Sequence, residues 1–103
     1  MPLKPFVLFL ALLALLAPAR AADSERGAAL AGRWCASCHV PGTAGAAGTD
    51  AGPPFAQMAA DPAYTDGRLR GFLANPHPPM PNLSLSRAEI EDLVAYIRSL
   101  KPR

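Results

Sequence analysis

Three residues within five positions can do chemistry in this chain: Cys35, Cys38 and His39, in the stretch "CASCH". Both cysteines and one of the two histidines of the sequence are here. Two thiols at this spacing could cycle as a dithiol, hold half of a zinc site, or anchor a haem. A thioredoxin-type dithiol needs a strand leading into its helix within a βαβ pattern. Here helix-forming residues lead into the motif, and no stretch of the sequence alternates like a strand. A zinc site needs four ligands, usually as two spaced pairs. Cys35, Cys38, His39 and His77 make four, but adjacent Cys38 and His39 reach two corners of one tetrahedron only with difficulty. The third chemistry uses the whole motif, since Cys-x-x-Cys-His is the attachment signature of c-type haem. The thiols add across two vinyl groups on one porphyrin edge, and the next residue, His39, presents its imidazole to the iron.

An iron held this way needs a sixth ligand or leaves a reactive position. Met58, His77 and Met80 are the candidates. Met58 lies in "AQMAA", an apolar helical context in which a methionine fills gaps. Met80 lies in "PHPPMPNL", where recurring proline excludes regular structure and makes a stiff arm that can aim a side chain. His77 stands three residues before Met80 and competes with it only if the arm shifts. Met80 is the expected ligand, opposite His39.

The elements that must position these groups begin after a leader. Lys4 precedes an unbroken apolar run, Phe6 to Ala17, ended by Pro18. Small residues at Ala19 and Ala21 frame a cleavage point, so residues 1–21 read as a secretory signal peptide and 22–103 as the mature domain. Twelve apolar residues fall short of the ~20 that span a bilayer. The leader holds Lys4 and Arg20; without it, eight basic residues balance eight acidic ones. No basic cluster is left for nucleic acid or an anionic membrane. A leader also places the cysteine motif outside the cytoplasm, in the periplasm, where c-type haem is attached.

The mature 82 residues can build only a thin core. A disulfide within Cys-x-x-Cys would close too small a loop to help much, whereas a haem supplies an apolar plate to fold around. The expected architecture is all-α. One helix runs from Ser24 to Cys38, capped by Asp23 or Ser24, with Leu30 and Trp34 on one face and Gly27 and Ala31 on a smooth one. A glycine-rich loop, "VPGTAGAAGTDAGPP", leads to a short helical piece, "FAQMAAD". A third helix, capped by Asp66, carries Leu69, Phe72 and Leu73 and ends at Asn75-Pro76. The last has a capping box of Ser86 and Glu89, flanked by Leu85 and Ile90, and an apolar stripe Ile90, Leu93, Val94, Ile97, Leu100.

Read together, these segments resemble the class I cytochromes c, in order and across Gly27 to Leu100. "CASCH" resembles the haem motif, "FLANP" the helix behind the distal ligand, "MP" the methionine loop, and "EDLVAYIRSL" the C-terminal helix. "GPPF" resembles the segment whose proline carbonyl accepts a hydrogen bond from the proximal histidine, which makes Pro53 the partner of His39. Gly27 and Tyr96 match the family's right-angled crossing of N- and C-terminal helices. There are departures. Phe72 replaces a tyrosine that bonds the ligand sulfur in many relatives, and Ala31 replaces an aromatic at the crossing, with Trp34 as compensation. The arm from Pro76 to Met80 is short, as in compact bacterial members. Arg68 and Trp34 are candidates for holding the haem propionates.

The resemblance implies a periplasmic one-electron carrier, not an enzyme, with one haem c bound through Cys35 and Cys38 and ligated by His39 and Met80. It would exchange electrons with a protein donor and acceptor, as a monomer or as a haem subunit of a periplasmic oxidoreductase complex. A haem sensor with a labile Met80 is the remaining alternative.

Overall fold

The computed structural model describes residues 4–14, 21–42, 52–76 and 78–102. The glycine-rich stretch 43–51, His77 and positions 15–20 lie outside the described residues.

Five helices follow in chain order, with no strand element among the described residues. The all-α expectation holds. α1 (Lys4–Ala14) lies within the stretch that the sequence reads as a leader. It makes no sizeable contact with the other helices, and Phe6, Leu8 and Phe9 on it are exposed. No helix among the described residues is long and apolar enough to cross a membrane.

α2 (Ser24–Trp34) starts at Asp23, whose carboxylate accepts from the backbone N–H of Glu25 at 2.9 Å and of Arg26 at 3.2 Å. That satisfies two of the four unpaired N–H groups that any helix start leaves. The helix stops at Trp34, four residues short of the expected end. The Cys35 carbonyl accepts from both Cys38 N–H (3.1 Å) and His39 N–H (2.9 Å), so the chain tightens into turns. Pro41, two residues on, bars further helix.

α3 (Phe55–Ala60) follows Pro54 and is pinned back to the cysteine motif by a bond from Phe55 N–H to the Val40 carbonyl, 3.1 Å. α4 (Asp66–Ala74) is capped by Thr65, not by the expected Asp66: the Thr65 hydroxyl accepts from Arg68 N–H at 3.2 Å. Asp66 instead pairs with Arg98, across to the last helix. α4 ends before Pro76, as expected.

α5 (Arg87–Ser99) carries the full capping box: Glu89 N–H donates to Ser86 Oγ (3.1 Å), and Ser86 N–H to Glu89 Oε1 (2.9 Å). The bond from Ser86 N–H holds the Glu89 carboxyl below its ordinary value. A lowered carboxylate contributes stability above its unfolded pKa and loses it as pH falls through the folded one. Unfolding midpoints below about pH 5 should therefore fall less steeply in Glu89→Gln than in the parent. Thermal melts over that range check this.

α5 is the hub, packing mainly on α2 and also on α3 and α4. Its Leu93, Val94 and Ile97 are buried with Ala31, Phe55, Ala59 and Leu69 from the other three. The close point is Gly27. A Cβ there would stand 2.0 Å from the Asp92 carbonyl oxygen and 2.7 Å from Tyr96 Cβ. Gly27 and Ala31 thus form the smooth face that the sequence predicts. Trp34 does not join them: it is 51% exposed, so it does not compensate for Ala31 at the crossing. An Arg70–Glu91 pair with bonds of 2.6 and 3.2 Å ties α4 to α5 on the outside.

Candidate functional site

The turn after α2 presents Cys35, Cys38 and His39 to the interior. Cys35 is buried in the core, Cys38 is half-buried, and the two thiols are not bonded to each other. Burial pushes the Cys35 thiol above its ordinary value. An activated redox dithiol needs the opposite shift, toward thiolate. Among the described residues, no three His, Cys, Asp or Glu side chains gather as a metal-ion site.

His39 is held on three sides. Its Nδ1 lies 2.8 Å from the Pro53 carbonyl oxygen. A carbonyl can only accept, so Nδ1 carries a proton, and Nε2 is the ring nitrogen that a metal could take. Phe55 lies beside the ring, with centroids 5.1 Å apart and planes tilted by 33°. Tyr96 of α5 meets Phe55 edge-on, linking the imidazole to the helix hub. Gly52 lies against the third side, where a Cβ would stand only 2.6 Å from His39 Cε1. Glycine is what allows the Gly52–Pro53 backbone so close to the ring.

Two adjoining cavities meet here. The larger, of about 220 Å³, is lined mostly by apolar side chains, among them Met58, Leu69, Phe72, Leu73, Leu93 and Ile97. The smaller, of about 120 Å³, is bounded by Trp34, Cys38, Pro81 and Leu83. Cys35, His39, Pro79 and Met80 line both. The site thus brings together all five sequence candidates, Cys35, Cys38, His39, Pro53 and Met80. Met58 lines only the larger cavity, on the α3 wall. His77 lies outside the described residues.

Among the lining residues, Tyr64 was not singled out by sequence. Tyr64, in the turn before α4, lines the larger cavity. Only an isolated aromatic between two short helices signalled it. Arg68 does not reach into a cavity wall; its guanidinium sits over the Tyr64 ring at 4.9 Å and the Phe72 ring at 5.4 Å, and donates to the Ala63 carbonyl at 3.1 Å. It buttresses the two aromatic residues from outside, by cation–π attraction.

An all-helical chain whose Cys-x-x-Cys-His turn opens on an apolar cavity, with the histidine oriented by a carbonyl, is built as a c-type cytochrome. The family model described as "Cytochrome C oxidase, cbb3-type, subunit III" matches residues 22–97. Cytochrome c-552 of Bradyrhizobium diazoefficiens is 45% identical to this chain over 100 residues, covering 97% of the chain and 96% of that protein. No solved structure matches the chain. The chain therefore belongs to the family that this model describes, a family of c-type cytochromes that carry electrons and bind haem c covalently.

The residues present fit that group. Both thiols line the smaller cavity, His39 Nε2 is not engaged by the Pro53 carbonyl, and the walls are largely aliphatic and aromatic. A chain of this size suits one haem, and its work requires redox partners.

Proposed function

We propose that this protein is a periplasmic one-electron carrier whose haem is tethered through Cys35 and Cys38 and ligated by His39 and Met80. The observation that carries the reading is the shared position of His39 and Met80 in both cavities, with His39 Nδ1 fixed on Pro53. Haem bound there supplies one-electron Fe(II)/Fe(III) chemistry. Pro53 holds the imidazole in one tautomer and orientation, so Nε2 needs no rearrangement between oxidation states. The proline-bounded arm holds Met80, a soft sulfur donor, and a His/Met pair raises the potential. The apolar wall of Leu69, Leu73, Leu93 and Ile97 keeps water out, which acts in the same direction. With His39 and Met80 both ligating, the iron would have no open site for a substrate, and the protein would work by electron transfer without being an enzyme itself.

Export fits the leader reading, with cleavage after Ala21. Trp34, exposed beside Cys38 and Pro81 at the cavity mouth, offers a donor or acceptor protein an apolar contact there. That contact serves a free carrier and an oxidoreductase subunit alike.

The test is to express the full chain in a host that attaches c-type haem. The purified protein should carry one haem that survives denaturation, and redox titration should follow a single one-electron curve. In Cys35→Ser and Cys38→Ser the haem should be held by one thioether, with a shifted reduced spectrum. Haem that extracts freely from the parent would overturn the reading. N-terminal sequencing should begin at Ala22; a start at Met1 would remove the leader reading alone.

A further inference from the structure

Asp92 is the one buried charged residue among the described residues, 3% exposed, on α5 and facing the start of α2. Its Oδ1 accepts from Asp23 N–H at 2.8 Å. Ala21 and Ala22 line a cavity together with Arg87, Ala88, Glu91 and Asp92. We propose that this cavity is a pairing site for the chain's own N-terminal ammonium, which leader cleavage creates at Ala22. The proposal rests on the leader reading for its biological occurrence, but not for its chemistry.

Neighbouring backbone nitrogens are at most about 3.7 Å apart, by covalent geometry. Ala22 N therefore lies within about 6.5 Å of Asp92 Oδ1, given the Asp23 bond. In the uncut chain that nitrogen is a neutral amide. Hydrolysis by water breaks the Ala21–Ala22 bond, and Ala21 departs as a carboxylate on the leader. Ala22 is left with an amine, protonated at neutral pH. Ala22 is exposed and Asp92 is buried, so salt screens the pair only from the ammonium side.

The other charges around this point largely offset one another. From α2 and its cap come Asp23, Arg26 and Arg33; from α5 come Arg87, Glu89 and Glu91, the last bonded to Arg70 of α4. Asp92 differs from these in being buried, and it has to outweigh the positive end of the α2 dipole. The pair would join the first residue of the domain to α5 at the crossing beside Gly27, and α2 leads directly into the cysteine motif. Processing would then tighten the helix pair that carries the haem attachment turn.

The sign of the pH dependence follows. Carboxylates raise the folded pKa of an amine whose ordinary value is about 7.7–8.0. Its stabilisation is complete below the unfolded value and lost as pH rises through the folded one.

The experiment compares the haem-loaded chain beginning at Ala22 with the same protein N-acetylated, by denaturant unfolding from pH 6 to 10. The difference between the two unfolding constants should shrink roughly tenfold across that range. Groups common to both proteins cancel. Parallel curves would overturn the proposal. Asp92→Asn should abolish the difference, and a difference that persists in it overturns the assignment to Asp92. Because that variant also weakens the Asp23 bond, an amide oxygen replacing a charged acceptor, NMR titration of the amine in the unsubstituted protein gives an independent reading. A pKa at or below the ordinary range overturns the pairing. Native cleavage at another bond would remove the leader reading while leaving these comparisons intact.

Discussion

Met80→Ala in the haem-loaded protein should abolish the weak near-infrared band of sulfur bound to ferric iron. It should also lower the potential by more than about 59 mV, a tenfold change in a one-electron equilibrium. The size of the effect follows from the softness of the donor. Thioether sulfur favours Fe(II), and water or a nitrogen in its place does so less. Met80 sits among Pro78, Pro79 and Pro81, so the backbone is too stiff to bring another side chain cheaply to the same point. Met80→Leu keeps the volume and removes only the sulfur, which separates ligation from packing. Met58→Leu is the matched control: Met58 lines only the larger cavity, and its variant should keep both band and potential. A band that survives in Met80→Leu and vanishes in Met58→Leu would reverse the assignment.

Gly27→Val is expected to cost about 3 kcal/mol or more, against a total stability on the order of 5–15 kcal/mol for a domain of this kind. Even the first added carbon would stand 2.0 Å from the Asp92 carbonyl oxygen and 2.7 Å from its carbonyl carbon. Both are helix backbone and cannot swing aside, so α2 and α5 must separate. Leu93, Val94 and Ile97 would then lose contact with Ala31, and the Asp23–Asp92 bond would stretch. Gly32, on the same helix, has nothing near its Cβ position. Gly32→Ala should stabilise by roughly 0.5–1 kcal/mol, through helix propensity alone. Chemical unfolding of the two variants tests this contrast. Similar losses in both would show that the effect is local to α2 and unrelated to the crossing.

What could be read in advance was what depends on neighbours in sequence. The capping box of Ser86 and Glu89 needs only a three-residue spacing, and both of its bonds form. The stop at Asn75 follows from Pro76, and the smooth face of α2 follows from Gly27 and Ala31 lying four apart. The near misses are local competitions. Thr65 and Asp66 are adjacent cap candidates, and Arg98 draws Asp66 away. The continuation of α2 to Cys38 has acceptable residue types, yet the Cys35 carbonyl collects two N–H groups and ends the regular helix.

The sequence by itself determined the chemistry: which side chains could tether and ligate a haem, that the domain is helical, and where its helices are capped. Motif spacing and helical period act over a few residues, so they are visible in one dimension. Only the tertiary structure decided how the donors are aimed. Gly52 lies against the His39 ring from thirteen residues away, Arg68 braces Tyr64 and Phe72, Trp34 turns outward, and Asp92 reaches Asp23 across 69 positions. Each depends on where α5 brings distant segments together, and no local pattern encodes that meeting.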